Sequence, residues 1–373
     1  MNGSLKTIRA SLTGLVSGSA KIFGQVYGAL QKSANWKKLL ALSLVGLLVL
    51  TLWVKHLHTL YFGPNEVRSY LLFIHDGDKF DRVVQLLDEH GCLERTGTFE
   101  KFARFRDYDH NIKPGAYQLH SGWSNYKLVS LLRSGEQTPV MVTFNNLRTR
   151  EDLAGKLARQ LQSDSLSFLS AFKNDSNATR NGFKPETFPS LFIPNTYSLY
   201  WTTTPSVFLT RMKREYESFW NETRKLKAQT RGLTIDQVST LASIVQEESN
   251  KNDEKSVIAG VYLNRLRKKW PLQADPTIRF ALGDFTIRRI LTAQLSVDSP
   301  YNTYKIAGLP PGPINFPEIS SIEAVLNAVI HDYFYFCAKE DFSGYHNFAK
   351  TLAEHNRNAQ KYQAALNKMK IFK

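Results

Sequence analysis

The longest feature in the pattern of apolar and polar positions is a run at residues 39–54, LLALSLVGLLVLTLWV, interrupted only by Ser43 and Thr51. Its sixteen residues, at about 1.5 Å of helical rise each, cover roughly 24 Å, a little less than the ~30 Å of a bilayer's hydrocarbon core. Snorkelling Lys37, Lys38 and Lys55 and the half-apolar continuation from His56 to Phe62 make up the difference. Trp36, Trp53 and Tyr61 stand where interfacial aromatics belong. The expected element is one transmembrane helix over 39–60. A buried core helix would carry a polar face, which this run lacks. A cleaved signal peptide would need small residues at its end, and Leu52-Trp53-Val54-Lys55-His56 offers none.

The periodicity beyond the anchor changes character repeatedly and reads as two pieces, 65–145 and 146–373. In the first, Ser69 to His75 is a short apolar run that reads as a strand. Phe80, Val83, Val84 and Leu87 recur at helical spacing before Gly91. A Pro114-Gly115 turn leads into another strand, Ser124 is placed to cap a helix over 125–133, and 139–144 reads as a third strand. In the second piece Leu153, Leu157 and Leu161 mark one helix between 149 and 172. Residues 173–181 read as a loop, and 185–201 as a stretch of prolines and aromatics suited to packing. A further helix is expected over 208–225. The fold class is α+β.

Residues 233–250, LTIDQVSTLASIVQEESN, carry the most chemical information. Thr234 with Gln237 three positions on is a capping box. At about 100° per residue with Val238 as zero, Leu241 falls at about 300°, Ala242 at about 40° and Val245 at about 340°, so these four form the buried stripe. Glu247 falls opposite, at about 180°, and is expected to be solvated; Glu248, at about 280°, lies beside Leu241 at the edge of the apolar face. A partly desolvated carboxyl has a raised pKa, as a general acid near neutral pH requires. The wheel equally accommodates a helix-end Glu paired with a basic neighbour. Asp253 is placed to cap a second helix over 255–268. The Pro-rich segments 271–277, 299–304 and 308–313 read as rigid loops, suited to sugar binding and to ordinary packing alike.

Charge and cysteine content narrow the classes. The chain of 373 residues carries 48 Lys and Arg against 33 Asp and Glu, a net charge of +15. Six cations and no acid precede Leu39, which by the positive-inside rule makes 1–38 cytoplasmic and everything after Lys55 external. Without those six, 42 cations still face 33 acids. A tethered basic ectodomain fits an acidic wall polymer better than nucleic acid. Cys92 and Cys337 are far apart with no metal-ligand spacing, which excludes zinc-ribbon and redox C-x-x-C chemistry.

Several motifs occurring in order complete the picture: Leu241-Ala-Ser-Ile-Val-Gln-Glu-Glu248-Ser, Val261-Tyr-Leu-Asn-Arg-Leu266, Leu272-Gln-Ala-Asp-Pro-Thr277, Ser299-Pro-Tyr-Asn-Thr-Tyr304, Gly308-Leu-Pro-Pro-Gly-Pro313, and Phe342-Ser-Gly-Tyr-His-Asn-Phe348 through Glu354-His-Asn356. Together they resemble the YceG-like, MltG-type endolytic murein transglycosylases. The piece around Lys113-Pro-Gly-Ala-Tyr117 and Leu131-Leu-Arg-Ser-Gly135 is similar to that family's LysM-like domain. The resemblance implies a small LysM-like domain at 65–145 and a larger α+β catalytic domain at 146–373, on a single anchor with its N-terminus in the cytoplasm. It implies cleavage of the MurNAc–GlcNAc bond within glycan strands to leave 1,6-anhydroMurNAc ends, limiting strand length, with Glu248 as the catalytic acid/base. Gln273, Asp275, Tyr301, Asn302 and Tyr304 are the candidates for holding glycan or positioning Glu248, each of which could instead stabilise its loop. No metal or cofactor is implied. The partners implied are peptidoglycan strands, the inner membrane and peptidoglycan synthases, not nucleic acid. Two positions depart from the common pattern: Asn195 replaces an acidic residue, and Gln246-Glu247 replaces Glu-Lys. Two other readings stay open: a hydrolase of the same polymer with Asp275 or Glu247 activating water, and a non-catalytic wall-binding scaffold.

Overall fold

The computed structural model describes residues 24–25, 27–28, 36–287 and 289–369. Most of the cytoplasmic segment expected over 1–38 therefore lies outside the described residues. The chain divides into two compact units, Met1–Glu136 and Gln137–Lys373.

The first unit begins with α1 (Trp36–Phe62), 27 residues long, apolar enough to cross a membrane and unburied by the protein. It runs past the expected 39–60 at both ends, and its polar positions satisfy themselves within the helix. The hydroxyls of Ser43, Thr51 and Thr59 donate to the carbonyls of Leu40, Leu47 and Lys55. Gly63 ends the helix: its N–H donates to the Thr59 carbonyl, and a Cβ there would collide with that same oxygen. A two-stranded antiparallel sheet follows, β1 (Tyr70–Ile74) paired with β2 (Gly115–Leu119) so that Tyr70 faces Leu119 and Ile74 faces Gly115. Between the strands run α2 (Phe80–Glu89) and α3 (Thr96–Phe105); after them comes α4 (Asn125–Ser134). As the spacing predicts, Phe80, Val83 and Leu87 of α2 are buried, joined by Leu72, Ile74, Phe99, Tyr117, Leu128 and Leu132. Ser124 caps α4 by accepting from the Lys127 N–H, and Gly135 closes it in the left-handed region at φ 74°. The sequence signal missed α3.

Strand β3 (Val140–Phe144) corrects the expected boundary at 145. It pairs antiparallel with β4 (Asn195–Leu199), so it belongs to the second unit. Helix caps correct three further expectations. The single helix expected between 149 and 172 is two, α5 (Arg150–Ala158) and α6 (Ser165–Lys173), because Asp164 caps a fresh start by accepting from the Ser167 N–H. The expected loop at 173–181 holds a short helix, α7 (Asp175–Arg180), capped by Asn174. The helix expected over 208–225 is likewise two, α8 (Pro205–Phe219) and α9 (Glu222–Thr230), the second capped by Asn221. The aromatic stretch at 185–201 packs as expected, with Phe188 and Phe192 buried against Phe172, Phe208 and Phe316.

Helix α10 (Ile235–Glu248) starts at the expected capping box. Its burial is wider than the predicted stripe: every residue from Val238 to Val245 is buried. This is affordable because the polar positions are small and bonded within the helix; the Thr240 and Ser243 hydroxyls donate to the carbonyls of Asp236 and Thr240. Helix α11 (Asn252–Arg267) has Lys251 at its N-cap position, so Asp253 sits inside the first turn rather than capping it. Gly260 of α11 faces the Val329 carbonyl and the His331 ring so closely that a side chain would not fit. In the stretch read as Pro-rich loop, 275–282 forms α12 (Asp275–Leu282), with Pro276 in its first turn. Helix α13 (Ile319–Leu326) packs across α10 and α11. The hairpin β5 (Tyr335–Ala338) with β6 (His346–Ala349) and the final α14 (Leu352–Lys368) complete the unit.

Candidate active site

Glu248 is the last residue of α10, where Ser249 turns the chain to an extended conformation. Its carboxylate is half-buried and opens into a cavity of about 330 Å³. Tyr262, one helix further on, is almost fully buried, and its hydroxyl donates to Glu248 Oε1 at 2.6 Å. The Phe336 ring meets Tyr262 edge to face, at 5.8 Å between centroids.

Arg265, one turn along α11 from Tyr262, lines the same cavity. Its Nε donates to the Phe334 carbonyl at 2.7 Å and its Nη1 to the Leu272 carbonyl at 2.6 Å. One buried guanidinium thus ties α11 to both the β5 hairpin and the 272–275 segment. That segment carries Gln273, in the left-handed region at φ 51°, and Asp275, both lining the cavity. The Gln273 N–H donates to the Thr303 carbonyl and the Ala274 N–H to the Thr303 hydroxyl, each at 3.0 Å. These bonds bring Tyr304 into place, where its hydroxyl donates to Asp275 Oδ1 at 2.5 Å.

The electrostatics follow from this packing. Burial pushes the Glu248 carboxyl up from 4.5 to about 7; the Tyr262 hydrogen bond opposes the rise, the Asp275 charge adds to it, and Arg279 and Arg265 counter it. Burial, and then the charge of Glu248, hold the Tyr262 phenol far above its ordinary value, so it stays a neutral donor. His355 of α14 also lines the cavity, with Nδ1 buried and lacking a hydrogen-bond partner and its ring stacked on Tyr335. Burial, and then the Arg265 charge, push its imidazole down, which keeps it uncharged near neutrality. The arrangement can deliver a proton from one carboxyl at neutral pH and take one back at the same atom.

Four of the six expected site residues therefore share one cavity: Glu248, Gln273, Asp275 and Tyr304. Two do not. Asn302 is fully buried; its amide donates to the Leu295 and Val297 carbonyls at 2.9 and 2.8 Å, and its Oδ1 accepts from the Tyr304 N–H. It holds its loop. The Tyr301 ring packs tilted against Phe280, 4.6 Å between centroids, and lines a separate cavity of about 240 Å³ with Glu186 and Arg148. Glu247 is not solvated as the wheel predicts. It is 17% exposed, accepting from Arg148 Nη2 at 3.1 Å and Asn315 Nδ2 at 2.9 Å. The residues around 314–316 fold over the face that a lone helix would leave open.

Sequence reasoning missed Tyr262, Arg265, Tyr335 and His355. Tyr262 and Arg265 stand three apart, on one face of α11. Both lie within the motif Val261 to Leu266, but nothing local distinguishes them from core and surface positions. Among potential metal ligands, Asp107, Asp109 and His110 bring three donor atoms within 4.8 Å of one another. They are committed elsewhere: Asp109 pairs with Arg104 and Asp107 accepts from Asn111. Cys92, in the core of the first unit, and Cys337, on β5, are free thiols.

Residues 72–361 match the model of the YceG-like family. An endolytic murein transglycosylase of Bacillus subtilis (strain 168) is 28% identical over 309 residues, covering 79% of this chain and 85% of that protein. An endolytic murein transglycosylase of Streptococcus pneumoniae (strain R6) is 27% identical over 332 residues; the match covers 80% of this chain and 59% of that relative's length. The crystal structure of a YceG-like protein from Listeria monocytogenes superposes with a TM-score of 0.50 at 25% identity, covering 78% of this chain and 99% of that one. With that match running from the first strand into the last helix, the chain belongs to the YceG-like family.

Proposed function

We propose that the chain is a membrane-anchored endolytic murein transglycosylase with Glu248 as its single acid/base. The observation that carries this reading is a carboxyl held at about 7 by burial and gripped by Tyr262 in a cavity that Gln273, Asp275 and Tyr304 also line. Protonated Glu248 donates to the oxygen between MurNAc and GlcNAc, and the bond from that oxygen to MurNAc C1 breaks. The MurNAc 6-hydroxyl oxygen then bonds to C1, and its proton passes to the Glu248 carboxylate. The carboxyl is regenerated and a 1,6-anhydro ring closes without water. One carboxyl suffices, where a two-carboxylate hydrolase needs a pair at fixed separation. Gln273, Asp275 and Tyr304 are the glycan-contacting candidates, and Asp275, held by Tyr304, faces the positive charge that develops at C1.

In this reading the six cations before the anchor keep the N-terminus in the cytoplasm. The first unit is the LysM-like module, a reading supported by its β1–α2–α3–β2 order and by the 113–117 and 131–135 motifs. Cutting inside nascent strands would limit their length and place the enzyme beside peptidoglycan synthases.

Mass spectrometry of peptidoglycan digested by the protein tests the proposal. Internal fragments ending in 1,6-anhydroMurNAc are the expected product. Reducing MurNAc ends would make it a hydrolase, and no cleavage would leave a scaffold.

Tyr262→Phe gives a second test. Losing the hydrogen bond that favours the ionised form raises the Glu248 pKa above its present value of about 7. The alkaline limb of the pH–rate profile should therefore move upward, since a general acid is active while protonated. The rate at pH 6 should fall about tenfold through loss of one charge-assisted hydrogen bond. An alkaline limb that stays in place would show that Tyr262 does not act on Glu248.

A further inference from the structure

The end of the anchor helix is not followed by a free linker. Asn125 Nδ2 donates to the Leu60 carbonyl and to the Thr98 hydroxyl, each at 3.0 Å, while its Oδ1 accepts from Asn65 Nδ2 at 2.7 Å. The Asn65 N–H is in turn bonded to the Trp123 carbonyl at 2.8 Å. The Tyr61 ring rests on Phe102 at 5.2 Å between centroids, and Phe62 contacts Phe102 and Tyr126 at 6.3 and 5.4 Å. A buried polar knot ringed by aromatics thus bolts the last turn of α1 to α3 and α4.

The length of the anchor then sets the height of this unit above the lipid. Lys55 marks the edge of the apolar run. The seven residues from His56 to Phe62 add roughly 10 Å of helix. A bilayer of ~40–45 Å around a ~30 Å hydrocarbon core leaves about 5–8 Å of headgroup on each side. The sixteen-residue run falls roughly 6 Å short of that core, so the first part of this segment completes it, and Phe62 with the residues fastened to it stands about 4 Å into the headgroup layer.

They also have the chemistry for it. Phe105 is 81% exposed, with its ring 6.2 Å from Phe102. Phe62 and Tyr126 are 49% and 42% exposed. The Arg106 guanidinium lies over the Tyr126 and Phe102 rings at 5.4 and 5.9 Å. A lone exposed aromatic is ordinary. A run of them continuous with a membrane helix and overlaid by an arginine is the composition of an aromatic interfacial belt facing anionic headgroups.

We propose that the face of the first unit formed by Phe62, Phe105, Arg106 and Tyr126 rests on the anionic lipid surface, as a second membrane contact that holds the unit in one orientation. This rests on α1 being the anchor, and the test separates the two claims. The full chain carrying Cys337→Ser is placed in phosphatidylethanolamine–phosphatidylglycerol nanodiscs whose acyl chains are brominated both near the headgroup and near the chain end, so that the bilayer centre and its surface are each sampled. Single bimane labels are attached through Leu47→Cys, Phe105→Cys or Gln85→Cys. Cys92 is buried, with its thiol pushed up to about 11 by that burial, and gives little background labelling. Quenching at position 105 should be at least twofold above that at 85, and should fall to the level of 85 when Arg106→Glu is added. Quenching at 47 with none above background at 105 overturns the surface contact and leaves the anchor. No quenching at 47 overturns both. Position 105 shielded from aqueous iodide but unquenched by bromine would mean that a protein covers the face, which also overturns the proposal.

Discussion

Glu248→Gln is expected to abolish formation of 1,6-anhydroMurNAc ends, lowering the rate by about 10²–10⁴-fold, the contribution of a positioned general acid. Gln keeps the shape and can still accept from the Tyr262 hydroxyl, so glycan binding should survive. The same substitution has a thermodynamic signature. In the native protein burial holds this carboxyl at about 7, whereas its ordinary value is 4.5. Between those pH values the native state keeps a proton that the unfolded state has released, so wild-type stability falls as pH rises through the window. Gln has no proton to lose. The variant should match the wild type in stability below pH 4.5 and exceed it above pH 7 by up to roughly 3 kcal/mol, less where cavity water screens the carboxylate. Denaturant unfolding at pH 4.5 and pH 8 measures the difference. Anhydro ends persisting in the variant would remove Glu248 from the mechanism; equal stability at both pH values would contradict the desolvation.

Arg265→Met is expected to give the second large effect, on the architecture of the cavity. The side chain is 8% exposed and is the shared donor to the Phe334 and Leu272 carbonyls. Met fills much of the volume but leaves both carbonyls unpaired. At about 1.5–3 kcal/mol for each hydrogen bond from a charged donor, the loss is about 3–6 kcal/mol. In a unit of this size that corresponds to a fall in Tm of roughly 6–24 °C. Activity should fall even below the new Tm, because the hairpin and the 272–275 segment are no longer held to one helix. The pH dependence shifts as well: Arg265 favours the ionised form of Glu248, so its loss moves the alkaline limb upward. Arg265→Lys should recover only part of the stability, since an ammonium cannot match the fixed fork of a guanidinium. A Tm within a degree of the wild type would show that the strap carries no weight.

The two lessons of the chain come from neighbouring positions. What the sequence determined by itself was local: a helix apolar and long enough to cross a membrane from one nearly unbroken run, a helix start from Thr234 and Gln237, and the offset of Glu248 from Glu247 from the 3.6-residue period. These are properties of a few adjacent residues, and short-range sterics and solvation decide them. Helix breaks at Asp164 and Asn221 were also local, but a capping residue inside a continuous apolar rhythm is hard to tell from a surface position. Only the tertiary structure decided the rest. It drew Glu247 partly out of solvent against Arg148 and Asn315, turned Asn302 inward to hold a loop, and sent Tyr301 to another cavity. It brought Tyr262, Arg265 and His355 around Glu248 from two other helices. Those assignments depend on which distant segments fold over a given face. A carboxyl's pKa depends on the water those segments exclude and the charges they bring, and neither is written in the residues beside it.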